Sequence, residues 1–253
     1  MDLTTIPVPE FTPLDGITQA LAAICYIGIG AAAWLRATAD IRTRVFFAFA
    51  IANFVVCSVP TVWWLRASAN HAKLPMGAVT AMTSAMGVGA LLLFHFTQVF
   101  PRRRPWIKTS GMQMAVAYCV APLTIAGLLW FAPSSVDTLS TPYKLALVVF
   151  GFPLVVLLGI VLPVTAIVSL ARSHRELQQL GHADLKRPLE LILLSQIAGG
   201  TLAAVFAPVL ATVAPNSGIQ YLLTLVIWAL GLMTPLAFAA AVWKCNVLAM
   251  NPE

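Results

Sequence analysis

The sequence predicts an all-α integral membrane bundle of seven transmembrane helices, amino terminus outside and carboxyl terminus cytoplasmic. Three observations predict it. Of the 253 residues 60% are hydrophobic and only 9% charged, against about a quarter charged in a soluble domain, so there is too little polar surface to cover a globule in water. The apolar residues fall into runs of the roughly 20 residues that a bilayer-crossing helix needs. None alternates like a barrel strand, which leaves helices as the spanning form. Finally, twelve Lys and Arg residues lie on one set of alternating connections and three on the other, an asymmetry that orients a membrane protein with its basic loops inside.

The spans follow in order and make one domain over residues 1–253. The amino-terminal tail MDLTTIPVPEFTPLDG has three acids and no Lys or Arg, so it reads as a short retained tail and not a signal peptide. The first span is Ile17 to Leu35 and the second Val45 to Leu65. The third runs from Pro75 to Phe100 and ends in FHFTQVFPRRR. The fourth is Gly111 to Phe131, the fifth about Tyr143 to Leu170, the sixth about Pro188 to Val213 and the seventh Tyr221 to Trp243. Arg102, Arg103 and Arg104 anchor the cytoplasmic end of the third helix against the lipid headgroups. Between the fifth and sixth spans, Ala171 to Arg187 reads as a polar, solvated connection with helix-prone composition. Glu190 follows it as a helix-start carboxylate favoured by the macrodipole.

The chemistry the spans lack is informative. Their middles have no charged residue, which argues against a proton-coupled transporter or pump. A retinal protein needs a buried lysine in the seventh span, and Lys244 lies at its cytoplasmic end. Zinc hydrolysis needs histidines converging at one depth; His95 is within a span, whereas His71, His174 and His182 are in loops. There is no GxSxG elbow and no buried acid to orient a histidine. Cys25, Cys57, Cys119 and Cys245 show no metal spacing and none lies in an outer loop, so they read as packing residues. No metal, cofactor or catalytic residue is expected, and no nucleic-acid partner.

Two groups of residues stand out. His95 lies about 10 Å inside the cytoplasmic boundary, seven residues before Arg102 at about 1.5 Å per residue. It shares a stripe of small and polar residues with Thr80, Ser84, Gly87, Leu91 and Gln98. Asn53, Thr165, Ser195, Gln196 and Thr234 sit at comparable depth. The expected arrangement is a polar layer or switch made of Asn53, His95, Gln98, Ser195 and Gln196. In the outer half, Trp63, Trp64, Trp130, Phe131, Tyr143 and Tyr221 lie near the span ends, as an aromatic belt does. Five of them (Trp63, Trp64, Trp130, Tyr143 and Tyr221) are the candidate wall of a ligand site. Prolines interrupt five spans at Pro60, Pro122, Pro153, Pro163, Pro208 and Pro235, which permits kinks and cavities. Small-residue spacings Ala81–Ala85–Gly89 and Ser195–Gly199–Ala203 mark close helix contacts within a bundle or between protomers of a homodimer.

The stretch HFTQVFP, followed by basic residues, resembles the seven-helix amino-terminal sensor module of bacterial histidine kinases, the pheromone-responsive class among them. In that family the third helix commonly ends in His-Phe/Leu-x-x-x-Phe-Pro, matched here by His95, Phe96, Phe100 and Pro101. The seventh span there runs into a short basic, Leu-rich stretch. Lys244, Val247 and Leu248 fit it, while a second basic or tyrosine position is missing. The resemblance implies a bacterial inner-membrane sensor that responds to a small hydrophobic or peptide ligand, or to the state of the bilayer. A cytoplasmic kinase or cyclase usually follows the seventh span; about ten residues follow it here, so output is expected from a domain outside this sequence or from a separate kinase or response partner. No phosphate-binding loop or phospho-acceptor histidine marks the chain as a kinase. Two other classes fit the composition: a small membrane enzyme or lipid-handling protein using His95 on a hydrophobic substrate, and a structural subunit of a membrane complex.

Overall fold

In a computed structural model of the chain, residues 13–70, 76–100, 111–131, 140–179, 183–197 and 218–243 are described. They form seven helical rods: α1 (Pro13–Arg36), α2 (Ile41–Asn70), α3 (Met76–Val99), α4 (Gly111–Trp130), α5 (residues 141–179), α6 (Ala183–Ile197) and α7 (Gly218–Trp243). Five of these, α1 to α5, contain stretches long and apolar enough to cross a membrane. Those stretches are mostly unburied by protein, and their exposed residues are large and apolar: Leu21, Ile24, Leu123, Phe150, Phe152 and Val155 among them. Water would not tolerate such a surface, whereas hydrocarbon does. The chain is a helical, multi-pass membrane protein.

Several helices outrun the spans expected for them. The second begins at Ile41 and ends at Asn70. The expected connection after the fifth span is helical too: α5 continues through LARSHRELQQ to Gln179, and α6 starts at Ala183. Arg, Glu, Leu and Gln are good helix formers, and nothing before Gly181 breaks the run. Glu190 therefore sits two turns inside α6, not at a helix start. Its Oε1 meets His174 Nε2 of α5 at 3.0 Å, an ion or hydrogen-bonded pair that bridges the two helices.

Each helix packs on specific neighbours. α1 packs on α2, α2 on α3, α3 on α5, α5 on α6, α6 on α7, and α7 returns to α1. These six make a closed ring. α4 stands outside it, packed on α3 and on the first half of α5. The two ends of the bundle differ. At the end where α1 meets α2, called the basic end below for Arg36, Arg42 and Arg44, the core is dense: Phe46, Val99, Phe100, Leu170, Leu189, Phe238, Ala241 and Val242 are all buried. Phe46 and Phe238 stack with ring centroids 3.7 Å apart, and Phe96 and Phe100 complete the cluster, with Phe96 edge-on to Phe238 at 5.1 Å.

The α1–α2 corner closes this end. Asp40 caps α2, its Oδ1 accepting from the Arg42 backbone N–H at 2.8 Å, as a carboxylate at an N-cap does. The same carboxylate takes the Arg42 guanidinium, with Nη2 2.6 Å from Oδ2. Arg42 is fully buried, so a residue that the sequence presents as one more loop cation is part of the packed core, neutralised two positions away. Thr43 donates its hydroxyl to the carbonyls of Ala37 and Asp40. Along α1 the buried residues Gln19, Ala23, Tyr26, Gly30 and Ala33 form a heptad seam toward α2. Gly30 is required there: a Cβ would lie 2.5 Å from that of Ala50.

The prolines act differently from one another. Pro60, Pro122 and Pro235 sit inside continuous helix, and Pro208 lies outside the described residues. Pro153 and Pro163 of α5 each follow a π-helical turn, Leu147–Gly151 and Leu157–Val161. The residue before each proline bonds five residues back: Phe152 N–H to Leu147 O and Leu162 N–H to Leu157 O. A proline lacks its own N–H and crowds the carbonyl four residues earlier; the wider turn relieves that crowding.

Because lipid is as apolar as the core, removing a lipid-facing side chain costs little and removing a packed one leaves a cavity. Phe238→Ala is expected to lower stability by on the order of 2 kcal/mol, the cavity part of a large-to-small core substitution. Phe150→Ala, whose side chain is exposed to lipid, should stay within about 0.5 kcal/mol of wild type. Reversible unfolding of the purified protein in mixed micelles measures both.

Candidate functional site

The stretch from Phe94 to Phe100 ends α3, and helical geometry sends its side chains three ways. Phe96, Val99 and Phe100 enter the core cluster with α2 and α7. Thr97 and Gln98 are both buried, and the Thr97 carbonyl is the point that Ser169 of α5 reaches. His95 turns to α4: its Nδ1 lies 2.8 Å from the Tyr118 hydroxyl. With the phenol donating, Nδ1 is the acceptor and the ring proton sits on Nε2. Tyr118 was not among the residues the sequence singled out. It is the fourth residue before Pro122, so its carbonyl has no proline N–H to receive.

The expected polar layer takes a local form. Asn53 Nδ2 donates to the Phe49 carbonyl of its own helix at 2.8 Å. Gln98 Nε2 donates to Thr97 Oγ1 at 3.2 Å, and Ser195 Oγ to Ile192 O at 2.8 Å. Ser169 Oγ of α5 joins two helices, donating to Thr97 O of α3 at 3.3 Å. Ser169, Ser173, Thr97, Gln98 and Ser195 are all buried. They make the α3–α5–α6 side of the basic end hydroxyl-rich, beside the aromatic α2–α3–α7 side. Thr165 back-bonds to Val161 and Leu162. The side chains of Gln196 and Thr234 lie outside the described residues.

At the opposite end, Tyr143 is a strut. Its hydroxyl donates to Leu128 O of α4 at 2.7 Å, one of the last four carbonyls of that helix, which have no intrahelical donor. Ser140 caps the start of α5 by accepting from the Tyr143 N–H. Trp130 and Phe131 are exposed, as belt residues are, and Tyr221 is half-buried. The side chains of Trp63 and Trp64, and all of Arg102, Arg103 and Arg104, lie outside the described residues. Pro101, Lys244, Val247 and Leu248, which carry the resemblance together with residues of α3, lie outside them as well.

Of the cysteines, Cys57 is buried, Cys25 partly so and Cys119 exposed; all three are free. Among the described residues no group of His, Cys, Asp or Glu could hold a metal ion. No family model, characterised protein or solved structure matches the chain. Among the described residues, the end of α3 gathers the most polar side chains within reach of other helices.

A double-mutant cycle on His95→Leu and Tyr118→Phe measures whether the pair couples. The expected coupling is about 0.6 kcal/mol, the average for interhelical hydrogen bonds in a membrane, with about 1.7 kcal/mol as the upper bound. Coupling indistinguishable from zero would mean that the two side chains are adjacent without depending on each other.

Proposed function

We propose that the chain is a seven-helix signalling module of a bacterial inner membrane, amino terminus outside and basic end cytoplasmic. It converts an event in its outer half, binding of a small hydrophobic or peptide ligand or a change in the bilayer, into a rearrangement at the cytoplasmic end that a kinase or other output partner reads. The observation that carries this reading is the construction of α5. It is one rod of 39 residues (141–179), about 58 Å long at 1.5 Å per residue, nearly twice the roughly 30 Å hydrocarbon core. Its first half is largely lipid-exposed and broken by two proline-linked π-turns. Its second half is seated against α3 and α6 through Leu162, Ala166, Ser169, Leu170 and Ser173, all buried. Movement of the outer half is thus delivered, through a rigid seated segment, to the His174–Glu190 bridge and the α5–α6 turn. The charge asymmetry of the loops supports the orientation.

A ligand can shift such an equilibrium only by binding its two arrangements unequally, so changing the compliance of α5 should change the output. The test is a chimera in which a histidine-kinase catalytic core follows α7, reconstituted in vesicles. Replacing both Pro153 and Pro163 by Ala should change its autophosphorylation rate at least about threefold, a shift worth about 0.65 kcal/mol in a two-state equilibrium. Phe150→Ala should leave the rate unchanged. Equal rates in all three chimeras, each correctly inserted, would sink the signalling reading.

A further inference from the structure

α4 packs on one side, against α3 and α5. It lies outside the ring, and only Ala121 and Ile125 of its residues are buried. Both belong to its contact with α3 and α5: Ala121 packs with Leu91 and Leu162, and Ile125 sits against Gly87, where a Cβ would come within 2.7 Å of its Cδ1. Among the described residues, side-chain hydrogen bonds join α4 or its carbonyls to neighbouring helices at three depths. His95 of α3 meets the Tyr118 hydroxyl at 2.8 Å. Ser84 of α3 donates to Pro122 O at 3.4 Å. Tyr143 of α5 donates to Leu128 O at 2.7 Å.

In water, an apolar helix with so small a buried face would still be driven onto the bundle. In hydrocarbon it is not, because lipid chains replace its apolar contacts at little cost. Lipid chains cannot replace a hydrogen bond. The balance between a docked and a released α4 is therefore set disproportionately by the three polar contacts and by the fit at Gly87.

We propose that α4 is a releasable helix, latched onto the six-helix ring by His95–Tyr118, Ser84–Pro122 and Tyr143–Leu128, and that it opens the α3–α4–α5 seam to the lipid without unfolding the ring. This stands apart from the signalling reading: it concerns which helix moves, whatever the movement serves. The outward-facing residues of α4, Met112, Val116, Val120 and Leu123, are exposed to lipid in the docked state, so release brings no new cost on that face.

Opening is read by thiol reactivity, with the ring as its own control. In the full chain, Cys25, Cys119 and Cys245 are replaced by Ala. One version keeps Cys57, buried in the ring between α1, α2 and α7. The other carries Cys57→Ala and Ala121→Cys, placing a thiol in the α4 seam. Both are labelled in micelles with a small uncharged disulfide reagent. Tyr118→Phe, Ser84→Ala and Tyr143→Phe should each speed labelling of the seam thiol about threefold, the change in an equilibrium that an average interhelical hydrogen bond produces. The triple variant should speed it on the order of twentyfold, while the Cys57 rate stays the same. Unchanged seam labelling in the triple variant would overturn the proposal. So would equal acceleration of both thiols, since that is loosening of the whole bundle. If the triple variant does not fold, the Tyr118→Phe and Tyr143→Phe single variants decide by the same comparison.

Discussion

Phe46 of α2 lies face to face with Phe238 of α7 at 3.7 Å, and the arrangement of the bundle depends on that contact. The two rings join helices that are far apart in sequence, and Phe96 and Phe100 of α3 close around them. In a bilayer there is no hydrophobic gain from bringing apolar helices together, so association rests on fit and on polar contacts. The aromatic cluster supplies the fit at the basic end. It fixes α3 against α2 and α7, and thereby fixes where the rest of α3 points.

That placement divides the end of α3 among three environments. Phe96, Val99 and Phe100 go to the aromatic core, Thr97 presents its carbonyl to Ser169 of α5, and His95 goes to Tyr118 on α4. Fewer than two helical turns thus touch both the ring and, among the described helices, the one outside it. The buried Arg42–Asp40 pair fits the same picture. Removing one partner of a buried pair leaves an uncompensated charge and is costly, so the corner between α1 and α2 is held in one arrangement. Away from this end, the contacts thin out. The half of α5 away from this end has two widened turns and an exposed apolar surface, and α4 is held by a narrow apolar face at Ala121 and Ile125 together with hydrogen bonds.

Much of the architecture is legible in the sequence because the bilayer constrains it. Length and hydropathy mark the five apolar helices α1 to α5, and of the stripe Thr80, Ser84, Gly87, Leu91, His95 and Gln98, it is Ser84, Gly87, Leu91 and His95 that meet α4. The partner of His95 is not legible. Depth counted from the basic residues places it level with Asn53, Ser195 and Gln196, but depth does not give azimuth. His95 points to α4 because Gly87 admits Ile125 two turns away, and no residue pattern announces that crossing. Arg42 is misread for a related reason: its position in a basic connection says cation, and only the backbone turn at Asp40 brings a carboxylate to it. Tyr143 reads as a belt or ligand residue, yet its hydroxyl serves a carbonyl that exists as an acceptor only because α4 ends there. The widened turns of α5 are half legible. The prolines are visible, but whether a helix kinks, continues or widens at each depends on what packs beside it.

Packing in the bundle thus grades from a dense basic end to a sparsely packed opposite half. Hydrogen exchange of the chain in lipid nanodiscs, resolved by mass spectrometry, tests it most directly. The two halves of α5 are the comparison, since they belong to one helix and differ in packing. Amides of residues 162–170 are expected to exchange at least about tenfold more slowly than those of residues 145–158, because they open only with the core. Equal protection of the two segments would contradict it.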